Sequence, residues 1–164
     1  MITEQAVKHF EHVSAKTFEE VVAAFESATG SVEEGFSVVA ANAKDAGDFE
    51  RIFKAREGSS GFMRFLTIDH GGWLGHFNRP SKAILYVLGN PLVAITMLKH
   101  DVRVGLNVPV RLYIYEGTDG RTRVCYDLPS SLMGGLDNAA VTEAAHELDA
   151  KLTALAQAIS GATA

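Results

Sequence analysis

Apolar and polar positions along the chain follow two periods, and these predict its elements. Val108, Val110, Leu112 and Ile114 alternate with Pro109, Arg111, Tyr113 and Tyr115. A period of two marks a half-buried strand. Gly117-Thr118-Asp119-Gly120 then reads as a hairpin turn, and Thr122, Val124 and Tyr126 continue the return strand. Ala83 to Leu88 is a continuous apolar run, which fits a strand covered on both faces. Lys8 to Ser14, Gly35 to Ala41 and Phe62 to Asp69 read as three further strands.

The helical period appears first at Phe18, Val21, Val22 and Phe25, which fall at i, i+3, i+4 and i+7. Thr17 and Glu20 have the spacing of a capping box at the start of that helix. Thr29-Gly30 is expected to close it, with the glycine left-handed. Phe49, Ile52 and Phe53 form one face of a short helix from Asp48 to Ala55. Glu57 to Gly61 reads as a flexible break, and His70 to His76 as a glycine-laced turn. Asn90 caps a helix that starts at Pro91 and turns Leu92, Ile95 and Leu98 inward. Asp137 or Asn138 caps a long last helix carrying Val141, Ala145, Leu148, Leu152, Leu155 and Ile159. That near-heptad seam suits packing along a sheet or against a second copy. Strands do not alternate regularly with helices, so the expected class is α+β and not a doubly wound sheet.

Composition narrows the picture. The 164 residues predict one domain, residues 1–164, able to bury about 70% of its unfolded surface. With 47% apolar and 21% charged residues, the chain has the balance of a globular protein. The longest apolar runs are too short to span a bilayer. Met1 to Glu4 lacks a basic region followed by an apolar one, so no signal peptide is expected. The single cysteine, Cys125, allows no internal disulfide. Both features lead to the expectation of a cytoplasmic protein. A net charge of -5 without a Lys/Arg cluster argues against nucleic acid as the main partner.

The stretch from Leu85 to Met133 carries Asn90-Pro91, Gly105-Leu106, Pro109 before the alternating strand, Tyr115-Glu116, and Asp127-Leu128-Pro129. With these motifs the chain resembles the family known as domain of unknown function 302. The resemblance covers the C-terminal half well and the first strand and helix more loosely. It implies a β-α-β(4)-α sandwich, one mixed or antiparallel sheet covered by helices, and a homodimer. The inserted short helix and the His70–His76 loop are additions to that pattern. The resemblance carries no catalytic residues.

Candidate chemistry rests mainly on six histidines. None forms the His-x-x-x-His pair of a helical metal site, and no second cysteine completes a zinc site. His9 and His12 have opposite parity on their strand and face opposite sides. His146 is read as solvated. His70 and His76 flank Trp73 and are set to converge on one ligand, against the simpler reading of surface loop histidines. His100 follows Met97 at i+3, which places both on one helix face. Either is a known type of axial haem ligand; Met97 as core filler and His100 as a helix C-terminal residue are the plainer readings. Asp127 and Ser131 follow a strand near where Asn90 emerges. Without a G-x-S-x-G elbow, turn hydrogen bonding is the preferred role for Ser130 and Ser131. Cys125 shares its parity with Arg121 and Arg123, cations that lower a thiol pKa, although an ordinary strand cysteine is the preferred reading. No phosphate loop or dinucleotide fingerprint is present.

The leading expectation is a protein that binds a small, largely apolar ligand between sheet and helix or at a dimer seam. The residues expected to contact it are His100, Met97, His70, His76, Trp73, Asn90, Asp127 and Ser131. Haem is the candidate cofactor and His100 its candidate iron ligand. One alternative is a hydrolase or lyase with His100 or His70 as general base beside Asp69, Asp101 or Asp127. Another is an interaction module with an exposed apolar patch along residues 141–159.

Overall fold

The structure is a computed structural model that describes residue 2 and residues 4–161. It is a mixed α+β fold built on one open six-stranded sheet. The strands are β1 (His9–Ser14), β2 (Gly30–Ser31), β3 (Met63–Asp69), β4 (Ala83–Gly89), β5 (Val110–Glu116) and β6 (Thr122–Asp127). They lie in the order β1-β6-β5-β4-β3-β2, antiparallel throughout except for the β2–β3 pair. The helices are α1 (Phe18–Ala28), α2 (Phe36–Ala41), α3 (Ala46–Lys54), α4 (His70–Leu74), α5 (Pro91–Leu98), α6 (Pro129–Met133) and α7 (Ala139–Ser160). Among the described residues no helix is long and apolar enough to cross a membrane.

Alternation in the central strands sorts side chains between two unequal faces. Tyr86 and Leu88 of β4, Leu112 and Ile114 of β5, and Val124 of β6 are fully buried beneath α1 and α7. All six residues of the α7 seam are buried in that same core. The seam therefore packs on the sheet and leaves no apolar patch along residues 141–159. On the opposite face, a smaller cluster of Val32, Val39, Phe53 and Met63 lies under α2 and α3. Beyond it that face stays open: Leu85 and Val87 are only half-buried, so β4 is fully covered on one side alone.

Several local expectations give way to tertiary context. Gly35 to Ala41 is not a strand. Gly35, at φ 123°, starts α2, and Phe36, Val39 and Ala40 fall at i, i+3 and i+4 against the smaller cluster, while Val38 is exposed. His70 to His76 is not a simple turn: Asp69 accepts from the Gly72 amide and caps α4, and Gly75–Phe77 continues as a 3-10 turn. The capping box of α1 forms as expected, with Thr17 and Glu20 bonding each other's backbone. Its closure differs, because Thr29 is extended and Gly30 enters β2. Gly30 is needed for close approach: a Cβ there would lie 1.7 Å from the Arg56 carbonyl oxygen. Gly58 makes the reciprocal approach, with a Cβ 2.4 Å from the Ala28 carbonyl oxygen. The Glu57–Gly61 break is thus a bonded corner, in which the Gly30 and Gly58 amides both donate to the Phe62 carbonyl.

Gly30→Ala should cost about 2 kcal/mol or more, because backbone and not a flexible side chain occupies the space. Urea unfolding measures this, and an unchanged midpoint would refute the tight corner. A second prediction concerns His12, which stacks beside the Phe10–Tyr126 ring pair and has its ring nitrogen 3.4 Å from the Tyr126 hydroxyl. Burial lowers its pKa below 6.5. Between the lowered folded value and 6.5 the unfolded chain binds more protons. His12 therefore makes stability complete above pH 6.5 and falling as pH drops through that window. In thermal melts across this range, His12→Phe should flatten that part of the profile.

Candidate functional site

α5 is the element that builds the site. Its sequence is apolar nearly all round, because it touches both cores at once. Leu92 packs on the smaller cluster, while Met97, Val93 and Leu98 pack on the larger one. Asn90 fixes where this helix begins: its Oδ1 accepts from the Leu92 amide at 2.9 Å. Its Nδ2 donates to the Glu57 carboxylate and to the Gly61 carbonyl, both at 2.9 Å. Asn90 is 6% exposed, with both side-chain polar atoms satisfied.

Between α5 and the α2–α3 pair lies a half-open cleft of about 850 Å³. Phe36, Ala40 and Phe49 form one wall, and Leu92, Ile95 and Met97 the other. Phe65, Gly89 and Pro109 close the floor, where a Cβ on Gly89 would come within 3.3 Å of Pro109 and 3.4 Å of Phe65. Phe65 reaches the floor because a bulge between Arg64 and Leu66 re-aims it. Charged groups appear only at Lys44, Asp45 and Glu50. Asp45 is engaged as the cap of α3, accepting from the Asp48 amide at 2.8 Å.

Of the residues singled out from sequence, Met97 and Asn90 line this cleft, and the other six do not. Met97 and His100 do not share a face. The helix ends at Leu98, so Met97 is buried whereas His100 is exposed beyond the cap. Ile95, expected to point inward, is 52% exposed at the cleft mouth, and Met97 takes the inner position. His70 accepts from the Trp73 indole at 3.3 Å and meets Tyr113 edge-on. His76 is exposed on the following 3-10 turn, and Trp73 is 48% exposed. Asp127 lies on the open face of the sheet, 2.8 Å from His9 Nδ1 and 3.8 Å from Arg111. Ser131 does turn chemistry, donating to the Leu128 carbonyl at 2.7 Å and accepting from the Lys8 amide. His70 and His100 pair with none of Asp69, Asp101 and Asp127. Asp69 caps α4, Asp101 binds Arg103, and Asp127 binds His9.

Cys125 matches the plainer of its two readings, an ordinary strand cysteine, and the cationic activation does not arise. Arg123 is beside it but is held by Asp119 at 2.7 and 2.9 Å, while the Glu11 carboxylate lies 3.6 Å from the sulfur. Burial, reinforced by Glu11, pushes the thiol up to about 12. Its reactivity is therefore suppressed. Sequence reasoning missed Glu11, whose place opposite Cys125 follows only from the β1–β6 pairing. It also missed Phe36, Phe49 and Pro109, which were read for secondary structure alone.

A family model described as domain of unknown function DUF302 matches residues 41–159. No curated protein matches the chain. Among solved structures, the chain is similar to an uncharacterized conserved protein DUF302 from Bacillus stearothermophilus. The TM-score is 0.67 at 17% identity, over 92% of this chain and 97% of that one. At this identity the likeness is one of fold.

Asn90→Ala should lower stability by about 2 kcal/mol, combining a lost cap with unpaired partners. Asn90→Asp keeps the acceptor for Leu92 but brings a second carboxylate to Glu57, so it too should destabilise. Chemical denaturation of both variants checks the assignment, and wild-type midpoints would contradict it.

Proposed function

Since the chain belongs to the DUF302 family, a family defined without an activity, we propose from the geometry of its cleft that it binds a small, predominantly apolar molecule there. The observation that carries this reading is a half-open, apolar space of about 850 Å³ walled by aromatic and aliphatic side chains. Lys44 and Glu50 at the mouth suit a ligand with an apolar body and one polar end. Haem fits the donor set poorly. The cleft offers iron the Met97 sulfur and no imidazole, because His100 lies outside it.

Binding is tested with an anionic naphthalene-sulfonate probe and its displacement by long-chain carboxylates and uncharged apolar compounds. The extrinsic probe is needed because Trp73, the only tryptophan, is not part of the cleft. Saturable binding is expected, and Ala94→Trp, which fills the cleft, should weaken it at least about tenfold, equivalent to about 1.4 kcal/mol. Lys44→Gln should weaken the anionic probe more than an uncharged competitor. Absence of saturable binding, or unchanged binding to a folded Ala94→Trp variant, overturns the reading.

The pairing of two copies belongs to the same proposal. With the α7 seam buried, the apolar side chains left for a partner include Leu66, Trp73 and Phe77. Sedimentation should give twice the 17.6 kDa chain mass, and Trp73→Glu should return it to the single-chain value.

A further inference from the structure

On the open sheet face, outside the cleft lining, β1 and β6 bring four potential metal ligands together. Their register sets Glu11 opposite Cys125 and His9 opposite Asp127. These are two successive cross-strand pairs on one face, the arrangement that brings side chains closest across antiparallel strands. One ligand atom each from His9, Glu11 and Cys125 all lie within 4.8 Å of one another. His9 Nδ1 donates to the Asp127 carboxylate over 2.8 Å, which directs Nε2 away from that bond. A carboxylate on the far nitrogen is the usual outer support of a ligating imidazole. Glu11 is likewise oriented by the Tyr115 hydroxyl at 2.9 Å and by Arg123 Nε at 3.2 Å.

We propose that His9, Glu11 and Cys125 form a three-ligand site for a borderline divalent cation of the zinc class, with Asp127 positioning His9. A set of imidazole, carboxylate and thiolate selects this class over magnesium or calcium, which take oxygen ligands. Three protein ligands leave the fourth tetrahedral position to solvent or a small anion. The usual bond lengths put neighbouring ligand atoms about 3.5 Å apart, so the three groups close by roughly 1 Å on binding. His9 and Glu11 are exposed, so the movement is a rotation of surface side chains within their existing hydrogen bonds. Binding breaks the Cys125 S–H bond, forms a metal–sulfur bond and releases the proton to solvent. The thiolate and Glu11 then neutralise the cation, while Arg123 stays compensated by Asp119.

Titrating the purified full chain with Co²⁺ tests the site. The expected result is a thiolate-to-cobalt charge-transfer band with intense tetrahedral d–d absorption, both lost when Zn²⁺ is added. The chain has one cysteine, so the band can only report Cys125. Cys125→Ser should abolish it, and His9→Gln and Glu11→Gln should each weaken Co²⁺ binding at least about tenfold. Asp127→Asn should give a smaller loss with the band retained, as a positioning role requires. A band that never appears in the folded protein overturns the proposal, as does one indifferent to both His9→Gln and Glu11→Gln.

Discussion

The register of four adjoining strands is the constraint on which the rest depends. Leu85 lies opposite Tyr113, Tyr113 opposite Cys125, and Cys125 opposite Glu11. One residue along, Tyr86 is opposite Leu112, within the buried face. Because side chains alternate with a period of two, a slip of one residue would exchange these sets. Tyr113, Tyr115 and Arg123 would then enter the core, and Leu112, Ile114 and Val124 would meet water. The large buried face makes that slip prohibitive. It thereby also fixes which polar side chains meet across β1 and β6, although those contribute little to holding the sheet.

Strand periodicity was legible because few alternatives fit it, as β5 and β6 show. The α2 segment was harder. Phe36, Val38 and Val39 favour a strand by residue type. The helical reading lay in Phe36, Val39 and Ala40, whose spacing gains its meaning only from Met63 and Phe53, distant in sequence. α4 was hidden by Gly71-Gly72. Gly71 is tolerated there because a Cβ would strike the Ser81 carbonyl oxygen at 2.2 Å, so tertiary proximity requires what helix propensity disfavours.

The candidate site was less legible than the fold. Its cleft is assembled from residues 36–50, the bulge of β3 at Phe65, α5, and the entry to β5. No local spacing joins these segments. His100 lies away from Met97 for a specific reason: i+3 proximity holds only inside a helix, and α5 ends two residues before His100. Met97 and Asn90 line the cleft because helix register and capping place them, and both operate over a single turn. The His9–Asp127 contact spans 118 positions, which no motif of the chain encodes.

β1 has a consequence for how the molecule assembles in time. It is an outer strand, held by pairing with β6, by the Lys8 amide on Ser131, and by Ser14 Oγ on the Ser160 carbonyl at 2.7 Å. Every one of these partners lies beyond residue 120. A nascent chain therefore holds β1 without these partners until β6 and α7, more than 100 residues later, have emerged. Contacts of such long sequence separation pay their loop-closure entropy before any return, which slows the closing step. β1 is thus secured long after it is made, and during that interval its unpaired edge is open to pairing with another molecule.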